Sequence, residues 1–326
     1  FEFSSPRRLA IQLKGLPEKQ PDQTLTIKGP SLELAQTQDG SWTKAAIDFA
    51  KKQAVEVSSL IRQEVNGREF IFATKEIIGQ STKHLLQEHL PQWITQVPFS
   101  KKMRWGKYQL RYTRPMHWIV SLWNDEIIPC TIESIEADRF TYGHRFLTSG
   151  KITLPHASEY ATLLRKGFVE PQYEQRKEMI ISQMQVLEHR QKMTVSIDPE
   201  LLQEVTNLVE YPTALVGFFE EEFLTLPREV LVTTMAVHQR YFPTYQNQIL
   251  TNQFITVRNG NDQHLENVQK GNQKVIRARL SDARFFYEED QKKTIDYFIE
   301  KSQRVVFFEQ RGTLFQRVER IVRLSK

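Results

Sequence analysis

Residues 270–293, KGNQKVIRARLSDARFFYEEDQKK, predict a long amphipathic helix in the second half of the chain. At about 100° per residue, Ile276, Leu280 and Tyr287 fall on one apolar stripe that would pack on a core. Asn272, which follows a glycine, is predicted as the N-cap residue. The stretch therefore predicts one partly buried helix, and the rest of the chain must supply the surface against which it packs.

The basic side chains of this helix raise the question of what the chain binds. Arg277 and Arg284 lie on one flank of the apolar stripe, while Arg279 lies on the other. Phe285 faces away from the core, where an exposed aromatic ring is disfavoured unless something covers it. Two interpretations stay open, a solvated cationic face or arginines that contact a polyanion.

Helical patterns dominate the second half of the sequence. Residues 172–190 repeat apolar side chains at helical spacing. Asp198 followed by Pro199 predicts a helix start, because an acidic N-cap and a proline at the first helical position favour one. Two strand-like runs, at 214–219 and 252–260, interrupt the helices, and everything from Leu265 onward is predicted to be helical.

The first half mixes the two periodicities. REFIFAT at 68–74 predicts a strand after the Asn66-Gly67 turn dipeptide, and residues 44–54 predict a helix. Residues 107–132 look rich in strands. We therefore predict an α+β fold, with a mixed domain with antiparallel strands at 1–155 and a mainly helical domain with a few strands at 156–326.

Composition narrows the class of protein. A chain of 326 residues is long enough for more than one core, and its 40% hydrophobic content can fill them. No apolar run approaches the roughly 20 residues that span a bilayer, so no membrane role is predicted. The single cysteine, Cys130, excludes a disulfide framework and fits a reducing cytoplasm. The net charge of +5 favours an anionic partner such as nucleic acid.

Catalytic signatures are missing from the sequence. It contains no GxxxxGK[ST] phosphate loop, no GxGxxG after a strand and no HExxH zinc motif. His84 and His89 are the closest pair of histidines, and their spacing does not put two ligands on one helical face. We predict no catalytic residue, no metal site and no cofactor within this chain.

What recurs instead is arginine beside aromatic residues or histidine. Such clusters occur in SSPRRLA (4–10), MRWGKYQLRYTRP (103–115), DRFTYGHRF (138–146) and HQRYFP (238–243), as well as in the helix at 270–293. Arginine binds two phosphate oxygens with its planar fork, and aromatic rings stack on unpaired bases. One cluster alone is more simply a solvated loop or strand edge, but their repetition favours a nucleic acid.

The clusters also carry a family resemblance. SSPRRLA, MRWG, RPMHWIVSL, GHRF, LVEYP, FLTLPREVL, HQRYFP and GNQKVIRARLSDARFFYEED occur in this order, and together they resemble the beta subunit of bacterial glycyl-tRNA synthetase. The likeness runs from Ser4 to about Lys293. The family's Glu-Leu-Pro element near the start, and its later HD-type and anticodon-binding regions, are not matched. The resemblance therefore implies an N-terminal portion of such a subunit.

The resemblance implies a cytoplasmic α2β2 enzyme that joins glycine to tRNA(Gly) with ATP. ATP and Mg²⁺ are expected in the alpha subunit, which carries the catalytic core, while the beta subunit grips tRNA and supports its partner. It also implies a module similar to the B3/B4 region of phenylalanyl-tRNA synthetase. We predict these residues as tRNA contacts: Arg7, Arg8, Arg104, Trp105, Arg145, Arg240, Arg277, Arg279 and Arg284.

Two alternatives stay open at this point. In the first, the chain is purely an assembly scaffold, and tRNA is bound by the part of the family that is not matched here. In the second, it is an editing or hydrolase module, which would need an active site that the motifs do not reveal. Loss of tRNA affinity with rising salt would distinguish a phosphate-binding chain from a scaffold.

Overall fold

The computed structural model describes residues 2–326, in which helices and strands are interleaved. In the first half the elements are β1 (Glu2–Ser5), β2 (Arg8–Ile11), β3 (Gln23–Ser31), α1 (Leu32–Ala35), α2 (Lys44–Gln53), β4 (Ile61–Val65), β5 (Arg68–Ile77), α3 (Thr82–Gln96), β6 (Ile119–Val120), β7 (Leu122–Trp123), β8 (Glu126–Ile127), β9 (Thr131–Ile132), β10 (Ile135–Asp138), β11 (Phe140–Tyr142) and β12 (Lys151–Thr153).

The second half adds six strands and most of the long helices. These elements are α4 (Tyr160–Lys166), α5 (Tyr173–Gln191), β13 (Thr194–Val195), α6 (Pro199–Leu208), β14 (Pro212–Phe218), α7 (Arg228–Thr233), β15 (Phe242–Gln246), β16 (Ile249–Asn259), α8 (Leu265–Gln291), α9 (Ile295–Ser302), β17 (Val306–Phe308), β18 (Gly312–Thr313) and α10 (Leu314–Leu324). Short 3-10 helices, Glu221–Thr225 among them, and a π-helical turn at Thr234–His238 complete the chain. The predicted α+β class is confirmed.

The chain forms two compact units that interleave along the sequence. The large unit contains the residues up to Ile11, Tyr142–Ile152 and Glu159–Lys326, and the small unit contains Gln12–Thr141 and Thr153–Ser158. The first two strands thus pack with the second half of the chain, with the Ser4 amide donating to the Pro171 carbonyl at 2.9 Å. The domain division between residues 155 and 156 stays a prediction.

The small unit is built on an antiparallel sheet in the order β3-β5-β4. Asn66 and Gly67 form the predicted turn between β4 and β5, both with positive φ, which asparagine and glycine tolerate. Ala46 and Ala50 of α2 pack with Ile71 of β5 in a core of small side chains. The predicted helix at 44–54 and the predicted strand at 68–74 are therefore confirmed.

The region predicted as rich in strands, 107–132, contains only strands of two residues. Its YQLRYT segment makes a single bridge, between Met103 and Tyr112. The amide of Tyr108 donates to the Trp105 carbonyl, and the amide of Leu110 donates to a Glu133 carboxylate oxygen. Turn and side-chain hydrogen bonds thus satisfy donors that a longer ladder would have used.

The large unit is organised around an antiparallel sheet in the order β13-β15-β16-β14. Side chains of adjacent residues in β16 point to opposite faces, so Ile255 joins the core beneath α5 and α6, while Phe254 joins the core beneath α8. Helix α6 begins as predicted, with an Asp198 carboxylate oxygen accepting the amides of Glu200 and Leu201. The sheet is consequently covered by helices on both faces.

Helix α8 begins earlier than predicted, at Leu265. Asn272 is therefore not the N-cap residue; it lies in the second turn, where its side-chain oxygen accepts the Tyr241 hydroxyl at 2.7 Å. The predicted stripe is correct, because Ile276 and Leu280 are fully buried against the sheet. The prediction of helix throughout from Leu265 onward is wrong at 306–313, where β17 and β18 form a hairpin.

Within residues 2–326, no helix is both long enough and apolar enough to cross a bilayer. Cys130 of the small unit is buried against Ile119 and Ile132, and burial raises the pKa of its thiol. It packs as a small buried hydrophobic residue.

Candidate functional site: a buried polar cluster and the loop above it

Three separate motifs of the sequence meet in one buried polar cluster of the large unit. Arg8, from SSPRRLA, forms an ion pair with Glu210, from LVEYP, and both side chains are almost fully buried. The other end of the guanidinium donates to the carbonyls of Tyr142 and Gly143, the latter at 3.0 Å. Ser5 donates from its hydroxyl to the same carboxylate at 2.8 Å. The Arg8–Glu210 cluster thus ties β1 and β2 to two distant parts of the chain.

His144 and Asn259 extend this cluster. The Asn259 side-chain oxygen accepts the backbone amides of Glu210 and Tyr211, at 2.8 and 3.2 Å, and His144 Nε2 lies 3.2 Å from it. His144 Nδ1 accepts the amide of Phe146 at 3.3 Å. Because one ring nitrogen faces an acceptor and the other a donor, we assign the neutral tautomer with its proton on Nε2.

A second arginine, Arg176 of α5, lies beside the cluster and is 0% exposed. Its guanidinium donates to the carbonyls of Ser4, Glu170 and Thr206, at 2.6, 2.8 and 3.3 Å. The Glu170 carboxylate in turn accepts from Arg165 at 2.6 Å. Buried oxygens thus accept most of the hydrogen bonds of these buried cations, which lowers the cost of burying their charge, and Arg176 Nη2 is left without a partner among the described residues.

Burial governs the titration behaviour of the cluster. It lowers the pKa of Arg8 and of Arg176, and the nearby carboxylates, including Glu210, act in the opposite direction. Burial raises the pKa of Tyr160, whose ring packs on Phe3, to about 12. Both acidic side chains of the cluster are held by arginines, so neither is placed to act as a general base.

The loop Gly143–Gly150 rises directly from the cluster and is held by its own hydrogen bonds. The His144 amide donates to the Gly167 carbonyl at 2.7 Å, while the His144 carbonyl accepts the Thr148 amide at 3.1 Å and the Thr148 hydroxyl at 2.9 Å. Gly143 is required here, since a Cβ atom would meet the Gly167 carbonyl at 2.7 Å. The loop turns Phe146 outward, with its side chain 84% exposed.

The predicted contact residues near this cluster differ in accessibility. Arg8 is buried, whereas Arg7 is about one-third exposed and lies 3.6 Å from a Glu210 carboxylate oxygen. Arg145 is exposed and lies 5.8 Å from the centre of the Phe146 ring. The structure thus gathers Arg7, Arg8 and Arg145 around one cluster, with only Arg145 turned fully to solvent.

The arginines of α8 have protein carboxylates beside them. Arg277 forms an ion pair with Glu220, and Arg284 Nη1 lies 3.2 Å from Glu222 Oε1. The hydrogen bond from Arg277 lowers the pKa of the Glu220 carboxyl. Arg279 is exposed, and among residues 2–326 it makes no ion pair. Two of the three arginines of this helix thus lie beside protein carboxylates.

Phe285 and Phe286 lie beside these arginines, and both are exposed, at 60% and 63%. Their rings touch edge to face, with centroids 5.5 Å apart. The spacing in the sequence predicts that Phe285 faces away from the core, and in the structure Phe286 is exposed as well. Helix α8 therefore presents an aromatic pair on the side away from the sheet.

Arg240 follows the π-helical turn in the left-handed region, with φ of 58°. A residue with a Cβ atom is disfavoured there, and a π-turn is itself uncommon. The Arg240 guanidinium lies 2.9 Å from Glu204 and donates to the His238 carbonyl at 3.2 Å. Its side chain is thus held by α6 and by its own turn.

Arg104 and Trp105 belong to the small unit. Arg104 is exposed, and Trp105 is half-buried with its ring edge to face with Tyr108, at 5.9 Å between centroids.

Within the part of the chain that the structure describes, no group of three or more histidine, cysteine or acidic side chains could hold a metal ion. Arg176 is the buried residue that sequence reasoning missed, because it sits in an ordinary polar helix pattern without a motif around it.

Comparison with known proteins agrees with the resemblance. A family model described as glycyl-tRNA synthetase beta subunit matches residues 2–326. The chain is 48% identical over 325 residues to the glycine–tRNA ligase beta subunit of Shouchella clausii (strain KSM-K16), covering 99% of this chain and 47% of that relative. The Bacillus subtilis (strain 168) beta subunit is 47% identical over 325 residues, covering 99% of this chain and 48% of the relative.

A Listeria monocytogenes relative with the same description is 44% identical over 324 residues, with 99% of this chain and 47% of the relative covered. The chain belongs to the family of glycyl-tRNA synthetase beta subunits. It spans about half the length of the curated relatives that it matches.

Proposed function

We propose that this chain is a tRNA-binding and assembly region of the beta subunit of glycine–tRNA ligase. The ligase joins glycine to tRNA(Gly) with ATP, and the beta subunit works in the cytoplasm with an alpha subunit in an α2β2 assembly. Family membership supports this proposal, because the relatives named above are beta subunits of that ligase. Catalysis, with ATP and Mg²⁺, is assigned to the alpha subunit.

The observation that carries the tRNA-binding part is the division of the arginines into held and solvent-facing ones. Arg8 and Arg176 are buried. Arg8 donates to Glu210 and to a backbone carbonyl, and Arg176 donates to backbone carbonyls. Arg145 instead faces solvent beside the exposed Phe146, and Arg279 faces solvent on the helix that also carries the exposed Phe285 and Phe286. A cation next to an exposed ring suits a phosphate next to an unpaired base. We therefore assign Arg8 a structural role instead of a tRNA contact.

The remaining predicted tRNA contacts differ in whether a glutamate of the chain already pairs with them. Arg104 and Trp105 are available to a ligand of the small unit. Arg240, Arg277 and Arg284 would each have to leave a glutamate in order to bind phosphate. The loss of that ion pair reduces the binding free energy that each contact contributes. Arg7 lies between these classes, because it is partly exposed and close to Glu210.

The salt dependence of tRNA binding tests this proposal. Fluorescence anisotropy of labelled tRNA(Gly), titrated with the chain at several salt concentrations, gives the slope of log K against log salt. A phosphate-binding chain should show a slope of about −0.7 to −0.9 for each contact. A slope near zero, or no binding at low salt, would contradict tRNA binding by this part of the subunit.

Assembly is a second function, and a specific observation favours it. The segment 294–326, which forms α9, the β17–β18 hairpin and α10, contains no fully buried side chain. Large apolar side chains such as Phe308, Val318 and Ile321 are about half exposed. Exposed apolar patches of this kind mark protein interaction surfaces.

The two functions are separable by one variant. Replacing Val318 and Ile321 together by glutamate should weaken association with the alpha subunit, as measured by analytical ultracentrifugation. The same change should leave tRNA affinity within about twofold, because it alters no arginine–aromatic pair. Unchanged association with the alpha subunit would remove the assembly role from this surface.

A further inference from the structure

The loop Gly143–Gly150 combines three features that single it out from the other exposed surfaces. It carries a phenylalanine that is 84% exposed, it has an exposed arginine at the preceding position, and its backbone is fixed by hydrogen bonds to buried groups. An exposed aromatic ring beside a cation is the combination with which proteins stack on unpaired bases and contact their phosphates. The combination therefore points to a ligand that covers the Phe146 ring.

Hydrogen bonds to the buried polar cluster hold the backbone of the loop. His144 is 2% exposed, and its ring is fixed between the Asn259 side-chain oxygen and the Phe146 amide. The Gly143 carbonyl accepts from Arg8, whose charge is balanced by Glu210. A loop backbone that is already fixed loses little conformational freedom on binding, so preorganisation favours affinity.

The charge beside Phe146 distinguishes this loop from the clusters around Arg240, Arg277 and Arg284. Among residues 2–326, no carboxylate forms an ion pair with Arg145, whereas Glu204, Glu220 and Glu222 each pair with an arginine elsewhere. The Arg145 guanidinium, 5.8 Å from the Phe146 ring centre, is the right neighbour for an anion attached to a flat group.

The rest of the loop favours a base over an apolar protein surface. Leu147, the apolar residue next to Phe146, is half-buried, and the polar or small residues Thr148, Ser149 and Gly150 follow it, so the loop adds little exposed apolar surface around Phe146. A protein interface of any strength needs a larger apolar centre around such a side chain. One ring and one cation match a single nucleotide.

We propose that Phe146 and Arg145 bind one unpaired nucleotide of RNA, with Phe146 stacking on the base and Arg145 contacting an adjacent phosphate. This inference rests on the proposed tRNA-binding function and deepens it. Duplex RNA does not offer an unstacked base, so the site discriminates between unpaired and paired nucleotides. The Arg8–Glu210 cluster acts only as the support that positions the loop.

The test uses the full chain, a single-stranded RNA decamer with one 2-aminopurine, and an RNA duplex of the same length. Phe146→Ala should weaken binding to the single strand about 5- to 150-fold, the range for losing one base–aromatic stack. Phe146→Trp should bind as wild type does, because a larger ring also stacks. Duplex affinity should change less than about twofold in both variants.

Two controls separate stacking from charge and from general surface effects. Arg145→Gln should reduce the magnitude of the slope of log K against log salt by about 0.7, the value for one phosphate contact on a single strand. The quenching of 2-aminopurine at saturation should persist. Phe308→Ala removes a phenylalanine that is 58% exposed and lies outside the loop, and it should bind the single strand as wild type does. All four variants alter exposed side chains, so their melting temperatures should match the wild type.

Equal losses for single strand and duplex in Phe146→Ala, or no loss for either, would overturn the inference. If wild type binds tRNA(Gly) with a salt slope and Phe146→Ala does the same, only the stacking site fails and the proposed function stands. If wild type binds no RNA at all, both fail. If Phe146→Ala instead loses the alpha subunit while keeping RNA affinity, the loop is a protein contact and the inference is wrong.

Discussion

Arg284 of α8 lies 3.2 Å from Glu222 and 4.8 Å from the centre of the Phe223 ring, so one short segment supplies both a carboxylate and an aromatic face. Arg277 pairs with Glu220 from the same segment. Both ion pairs are solvent-exposed and therefore stabilise the fold only modestly. They still decide which arginines of α8 face an existing anionic partner and which, like Arg279, do not.

Acid should reveal the pair between Arg277 and Glu220. The hydrogen bond from Arg277 holds the pKa of Glu220 below its ordinary value of 4.5. A depressed carboxyl pKa contributes stability that is present above the ordinary value and is lost as pH falls through the folded one. Arg277→Gln should therefore lower the free energy of unfolding at pH 7 by up to about 1 kcal/mol, and the difference should be smaller at pH 3 than at pH 7.

Urea unfolding at the two pH values measures this difference. Arg279→Gln is the matched control, because that arginine belongs to the same helix and makes no ion pair in residues 2–326. Its effect should be small and independent of pH. A difference for Arg277→Gln that persists undiminished at low pH would show that the side chain stabilises through packing instead of charge.

The buried pair between Arg8 and Glu210 should be far more costly to break. Glu210→Gln leaves the buried Arg8 guanidinium without its counter-charge, which should lower the free energy of unfolding by about 3–5 kcal/mol. Glu204→Gln removes the exposed partner of Arg240 and should cost no more than about 1 kcal/mol. Chemical denaturation of the two variants gives the comparison, and equal costs would contradict the assignment of a buried cluster.

Alkaline pH should destabilise the large unit through two buried tyrosines. Burial raises the pKa of Tyr160 and of Tyr241 to about 12 in the folded chain, above the ordinary value of 10. Their contribution is complete below pH 10 and is lost as pH rises towards 12, because the unfolded state releases the protons first. Absorbance at 295 nm should show two late-titrating tyrosines until the chain unfolds.

Tyr241→Phe distinguishes the effect of the titrating Tyr241 hydroxyl on stability from the effect of its hydrogen bond to Asn272. At pH 7 it removes the bond to Asn272, which should cost about 0.5–1.5 kcal/mol. Between pH 10 and 12 the variant should lose less stability than wild type, since one of the two groups is gone. An unchanged slope of stability against pH in that range would refute the buried-tyrosine explanation.

Two glycines of the large unit should respond oppositely to alanine. Gly271 lies within α8 with open space where a Cβ would stand, so Gly271→Ala should stabilise the chain by about 0.5–1 kcal/mol. A Cβ at Gly217 of β14 would overlap the Phe254 ring, so Gly217→Ala should destabilise it by about 1–3 kcal/mol. Thermal unfolding of both variants checks the sign, and stabilisation by Gly217→Ala would contradict the packing described here.

The sequence predicted the fold where local periodicity and capping determine it. The stripe of α8 and the start of α6 at Asp198 were predictable, because spacing and cap chemistry act within a few residues. The start of α8 was not, since Asn272 resembles an N-cap but bonds to Tyr241 across the fold. The hairpin at 306–313 was missed because its residues continue between two helical patterns without a strong turn signal.

The candidate site was predictable only as a set of motifs. Each of the motifs SSPRRLA, GHRF and LVEYP contains polar or charged residues. No sequence pattern near them indicates that Arg8, His144 and Glu210 lie together in the fold. Arg8 and Arg145 look alike in sequence, each in an arginine-containing motif, and only tertiary burial separates a structural cation from an exposed one. Arg176 carries no motif and could not have been selected.

The most direct test of this account compares two double variants by the salt dependence of tRNA(Gly) binding. Arg145→Gln with Arg279→Gln removes the two exposed arginines and should reduce the slope by about 1.4 to 1.8 while leaving the melting temperature unchanged. Arg277→Gln with Arg284→Gln removes arginines held by glutamates and should change the slope much less. If the second pair lowers the slope and the first does not, the division between exposed, tRNA-contacting arginines and protein-paired ones is wrong.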